Sequence, residues 1–81
     1  MIEKDIKVSV NFDTRQAAFF VQTANRFESK LELILDGKRI NAKSIMGTIS
    51  LGITEGCDLK ILAEGNDEEK AVADLTAALV K

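Results

Sequence analysis

Chemistry in this 81-residue chain has few places to begin. There is no histidine, which removes the usual proton shuttle, the commonest metal ligand and the usual base of a catalytic triad. What remains is Ser44, the pair Asp13 and Arg15, and a lone Cys57. Ser44 precedes Ile45-Met46-Gly47-Thr48-Ile49-Ser50-Leu51-Gly52. Its hydroxyl is placed to accept from the N–H of Gly47 or Met46, and Gly52 offers a left-handed stop, so a helix of about two turns is expected. So short a helix cannot bury Ile45, Met46, Ile49 and Leu51 on one side. Ile49 is expected to face the core, with Ile45 and Met46 at or near the surface. An exposed apolar pair beside a serine cap is unusual; the ordinary reading of the same residues is a capped core helix.

The elements that must position these residues follow from periodicity. Ile6, Val8 and Val10 alternate with Lys7 and Ser9, a first strand ending at Asn11-Phe12. Asp13-Thr14-Arg15-Gln16 reads as a capping box, Asp13 accepting from the first turn and Gln16 reaching back to the Asp13 N–H. Ala17, Phe20, Val21, Ala24 and Phe27 then form the buried stripe of a helix. Phe19 falls off that stripe, either as a surface aromatic or packed under a loop. Leu31, Leu33 and Leu35 mark a second strand, and Asp36-Gly37 a two-residue hairpin turn. Arg39 to Ala42 return as a third strand with Ile40 and Ala42 inward. After the Ser44 helix, Leu59, Ile61 and Ala63 mark a fourth strand, broken by Gly65. Asn66 with Glu69 predicts a second capping box, and the last helix buries Ala71, Val72, Leu75, Ala78 and Leu79. The order is βαββαβα. Strands with one apolar face require a sheet covered on one side, an open-faced α/β sandwich in a single domain over 1–81.

Composition narrows the function. The chain is 46% hydrophobic and 30% charged, as in a soluble globular protein. A formal charge of −2, with dispersed basic residues and no Tyr or Trp, gives no drive toward nucleic acid. No apolar run approaches a membrane span, and Met1-Ile2-Glu3-Lys4-Asp5 does not read as a signal peptide. One cysteine allows no internal disulfide, which fits a reducing cytoplasm; Cys57 reads as a small, partly buried residue. No cofactor or metal site is expected.

Lys43-Ser44-Ile45-Met46-Gly47, with Ser50-Leu51-Gly52 after it, resembles the regulatory-serine segment of the HPr family, small phosphocarriers of the bacterial sugar phosphotransferase system. Val21 to Phe27, Asp36-Gly37-Lys38 and the acidic start of the last helix extend the resemblance over nearly the whole chain. It implies a four-stranded antiparallel sheet covered on one face by three helices. In the family, the loop before the first helix carries a phosphorylatable histidine followed by Ala-Arg-Pro. Here Asp13 stands in place of the histidine and only Arg15 is kept. Relay from phosphoenolpyruvate needs an imidazole nucleophile, so histidine-based phosphotransfer is chemically excluded. The pattern is most similar to the Crh branch, which lacks the histidine, carries glutamine there and keeps the serine.

The resemblance implies a regulatory module, not an enzyme, phosphorylated on Ser44 by an ATP-dependent HPr kinase/phosphorylase. The modified form would bind a LacI-type catabolite repressor. Arg15, Phe19, Ser44, Ile45, Met46, Thr48 and Ile49 are then the expected contact residues. Lys43 is either a kinase-docking residue or a solvated lysine. Asp13 is a helix cap, an imitation of phosphohistidine beside Arg15, or itself a phosphoryl acceptor. The last usually needs Mg²⁺ held by further carboxylates, and no acidic cluster lies near this loop in sequence. The rivals are therefore a carrier using Asp13, and a constitutive module that binds a sugar-pathway enzyme without phosphorylation.

Overall fold

A computed structural model describes residues 1–81. The elements run β1 (Ile2–Lys7), α1 (Thr14–Ala24), β2 (Lys30–Leu35), β3 (Lys38–Asn41), α2 (Ile45–Ser50), β4 (Asp58–Glu64) and α3 (Glu68–Leu79). The strands form one antiparallel sheet in the order β1-β4-β2-β3. Leu31, Leu33 and Leu35 of β2, with Leu59, Ile61 and Ala63 of β4, are buried on the sheet face that meets the helices. Ala17, Phe20, Val21, Ala24 and Phe27 close on them from the α1 side, and Ala71, Val72, Leu75 and Leu79 from α3. The opposite face carries cross-strand charge pairs such as Asp5 with Lys60 and Lys30 with Glu64, so it can remain in water. The open-faced sandwich is as expected.

The β2–β3 turn needs positive φ at both central residues, and Asp36 (51°) and Gly37 (80°) supply it. The first strand lies earlier than its periodicity suggested. β4 begins at Asp58, opposite Lys7, so no strand partner remains for the residues beyond. Val8 is still buried, but its N–H meets the Cys57 carbonyl and its carbonyl meets Gly56 N–H, both in the preceding turn. Ala78 and Ile40 are only half-buried.

The two capping boxes differ from expectation. Asp13 accepts from Gln16 N–H at 2.9 Å, but the Asp13 N–H donates to the Asn11 carbonyl at 3.0 Å instead of to Gln16. At α3 the cap is Asp67, not Asn66, and its side chain turns away from its own helix. It accepts from Glu28 N–H at 2.9 Å, from Ser29 N–H at 3.0 Å and from the Ser29 hydroxyl. Three converging donors outbid one cap bond. The reach-back arm is made by Glu68, which accepts from Gly65 N–H at 3.1 Å and pairs with the Met1 amino group at 3.2 Å.

This junction is tight. A Cβ on Gly65 would lie 2.6 Å from Ser29 Oγ and 2.7 Å from Ser29 Cα, at a φ of 154°. Gly65→Ala should therefore destabilise the fold by about 1–3 kcal/mol, read from the urea midpoint. The Ser29 hydroxyl, then the Glu28 N–H, hold the Asp67 carboxyl below the ordinary carboxylate range. Gly65 N–H, then the Met1 amino group, do the same for Glu68. A carboxyl depressed on folding stabilises fully above its unfolded pKa, and the contribution is lost as pH falls through the folded value. Asp67→Asn should thus unfold at lower urea than the parent at neutral pH, and the two midpoints should converge in acid.

Candidate functional site

The corner between β3 and α2 is fixed from several directions. Ala42 N–H donates to the Leu31 carbonyl, Ser44 N–H to the Asn41 carbonyl and Lys43 N–H to Asn41 Oδ1 at 2.8 Å. From the end of α1, Asn25 Nδ2 donates to the carbonyls of Val21 (2.8 Å) and Lys43 (3.2 Å). Lys43 is not simply solvated. It is half-buried, and its ammonium donates to the Phe27 carbonyl at 2.7 Å.

Ser44 sits at the end of this corner as the N-cap of α2. Its Oγ accepts from Gly47 N–H at 3.1 Å, and its carbonyl receives Thr48 N–H at 3.0 Å and Thr48 Oγ1 at 2.8 Å. Gly47 keeps the cap open, since a Cβ there would lie 3.3 Å from Ser44 Oγ and 3.5 Å from Ile40 Cβ. Gly52 has φ of 76° and ends the helix as its sequence predicted.

Which side of α2 faces water corrects two expectations. The inward residues are Thr48, fully buried, and Leu51, 5% exposed. Thr48 therefore cannot serve as a contact residue. Its hydroxyl tolerates burial because it is bonded to the Ser44 carbonyl one turn back. Ile49, expected in the core, is 49% exposed, beside Ile45 at 36% and Met46 at 74%. In a six-residue helix the inner stripe holds about two residues, and the sheet edge takes Thr48 and Leu51. Three large apolar side chains are left outside next to a half-buried serine hydroxyl.

The loop before α1 flanks this surface. Asp13 is exposed and caps α1. Together with Phe12, Ile49 and Ile53 it lines a cleft of ≈ 240 Å³ between the start of α1 and the end of α2. Arg15 is exposed, has no ion-pair partner, and shares a neighbouring depression with Gln16 and Phe19. Phe19 is 52% exposed, the surface aromatic of the two readings. The fold thus joins Asp13 to Ile49 and Arg15 to Phe19. Asn25 and Asn41, which hold the corner, were not foreseen; their only sequence signal is a short amide side chain at a helix end and at a strand end. No three His, Cys, Asp or Glu side chains converge to hold a metal ion. Cys57 is half-buried in the turn before β4.

Comparison with known proteins places this geometry. Residues 2–81 match the family described as PTS-HPr, PTS HPr component phosphorylation site. The HPr-like protein Crh of Halalkalibacterium halodurans is 46% identical over 83 aligned residues, 100% of this chain and 99% of that protein. The HPr-like protein Crh of Bacillus subtilis is 44% identical over 73 residues, 90% of this chain and 86% of that one. The crystal structure of a phosphocarrier protein HPr from Bacillus anthracis superposes with a TM-score of 0.93 at 44% identity. That match covers 96% of this chain and 95% of the other.

The cap geometry makes a stability prediction that separates Ser44 from its neighbours. Ser44→Ala removes the acceptor for Gly47 N–H and should cost about 1 kcal/mol, whereas Ser44→Asp keeps a good cap and should cost far less. Met46→Ala, at an exposed position, should change stability by no more than about 0.5 kcal/mol. Equilibrium urea unfolding of the three variants reads all of these.

Proposed function

The chain belongs to the HPr family, and from that premise we propose that it is a Crh-like regulatory protein switched by phosphorylation of Ser44. The observation that carries the reading is the half-buried Ser44 cap flanked by exposed Ile45, Met46 and Ile49. An exposed apolar cluster of this kind suits a protein–protein contact. A hydroxyl at its centre can give that contact a second, charged state.

Phosphate adds nearly two negative charges at pH 7, and the free N–H groups at a helix start tolerate them. The corner that holds Ser44 is braced by Asn25, Asn41 and Lys43, so modification changes the surface and leaves the backbone in place. Basic groups on a partner then gain charge-assisted hydrogen bonds of about 1.5–3 kcal/mol each, ten-fold or more in affinity per bond. On this reading an HPr kinase/phosphorylase modifies Ser44, and a LacI-type catabolite repressor binds the modified face through Met46, Ile45, Ile49, Arg15 and Phe19. The protein acts in the cytoplasm and catalyses nothing itself. A carrier role through Asp13 would require its carboxylate to leave the α1 cap. A histidine relay is excluded by composition.

The test is incubation with ATP, Mg²⁺ and an HPr kinase/phosphorylase, with intact and peptide mass spectrometry. One phosphate on Ser44, absent from Ser44→Ala, is the expected result. No modification where an ordinary HPr is modified would end the switch reading. For the modified protein, Met46→Ala should weaken repressor binding about ten-fold, the scale of one interface hot spot, measured by calorimetry.

A further inference from the structure

We infer that the cleft between the start of α1 and the end of α2 receives a basic side chain, arginine or lysine, of a protein partner, and that Asp13 is the residue that selects it. The inference rests on the proposed reading that a protein partner docks on the α1–α2 face, and it names the chemistry that partner must present.

The cleft holds ≈ 240 Å³, below the roughly 300–1,000 Å³ of ordinary small-molecule pockets, which suits one side chain better than a metabolite. Its walls mix apolar side chains with polar groups of Asp13, Thr14 and Thr48. Ile53 is buried, Ile49 contributes its exposed flank, and Phe12 is braced edge-on against Phe20, with ring centroids 6.0 Å apart at 76°. Asp13 is the single charged residue among those lining it. Its Oδ1 accepts from Gln16 N–H at 2.9 Å, and an ionised carboxylate has about four acceptor sites, so capping α1 leaves capacity for a cation. Thr48, also in the lining, has its hydroxyl donated to the Ser44 carbonyl. Arg15 borders the neighbouring depression, not this one.

A slot that offers both apolar side chains and one carboxylate matches a side chain whose methylene stem is greasy and whose head is positive. A wholly apolar side chain would leave the remaining acceptor sites of Asp13 unused, and an acidic one would be repelled.

The position adds to this. α2 has Ser44 at its first end and the cleft at its last, about 9 Å apart by helical rise. A partner covering α2 can therefore use two basic groups for two purposes. One enters the cleft whether or not Ser44 is modified, and so determines which proteins bind. The other meets the phosphate, and so determines when.

The experiment titrates the full chain, unmodified, with n-butylguanidinium and n-butylammonium, using 1-butanol and butyrate as neutral and anionic probes of matched size, followed by amide NMR. Because no phosphorylation is involved, its result is independent of whether Ser44 is a switch. Asparagine caps helices as well as aspartate, so Asp13→Asn removes the charge while keeping α1 intact. The expected result is saturable shifts at Asp13, Thr14, Thr48, Gly52 and Ile53 with the two cations. Affinity should fall about three- to five-fold in Asp13→Asn, the scale of one exposed charge contact, and fall also with added salt. No localised shifts with the cations, or equal binding of cations by parent and Asp13→Asn, would overturn the proposal. So would equal or tighter binding of 1-butanol or butyrate.

Discussion

A six-residue helix cannot hold itself together in water, because nucleation costs more than so few hydrogen bonds return. The exposed apolar face of α2 therefore depends on bonds made at the start of the helix by residues outside it. Asn25 reaches in from α1, Lys43 ties its ammonium to the Phe27 carbonyl, and Asn41 holds the backbone of residues 43 and 44 through its side chain and its carbonyl. Ser44 then caps the helix, and Thr48 bonds back to Ser44. With the backbone fixed this way, the outward side chains need contribute nothing to the core. That freedom is what leaves Ile45, Met46 and Ile49 at the surface. Elsewhere in a small domain, three such residues would have been recruited to the core.

The adjoining junction, which shares the Phe27–Glu28 peptide with this corner, obeys a different constraint. There the chain must pass from β4 into α3 while touching the α1–β2 loop, and Gly65 lies almost on the Ser29 backbone. The contact is secured by the Asp67 carboxylate, which satisfies two N–H groups and a buried hydroxyl that would otherwise be left without partners. One junction is thus electrostatic and sensitive to acid, and the other is built of neutral amide and hydroxyl bonds plus one lysine.

Much of this was legible in the sequence because most of its elements obey one period each. The leucine alternation of β2, the Ala17–Phe27 stripe and the Asp36-Gly37 turn carry their own structure, and so did the cap at Ser44. The failures share a cause. Whether Ile49 or Thr48 faces inward depends on how α2 is rotated against the sheet edge, and a six-residue segment has no periodicity to fix that rotation. Asp67 in place of Asn66 as the cap, and the earlier β1, were likewise decided by partners distant in the chain: Glu28 and Ser29 in one case, the point where β4 begins in the other. The site followed the same rule. Its residue types could be named from the sequence, but the cleft shared by Asp13 and Ile49, and the tie of Lys43 to Phe27, exist only once α1 and α2 are side by side.

Within the proposed function Asp13 is then more than a helix cap. Its carboxylate lies beside Ile49 on the apolar surface of α2. Charge at an interface rim chooses partners more than it adds affinity. Within the proposed function, Asp13 and Ser44 divide the labour between them. The first discriminates among partners through its carboxylate; the second gains charge on modification and sets the moment of binding.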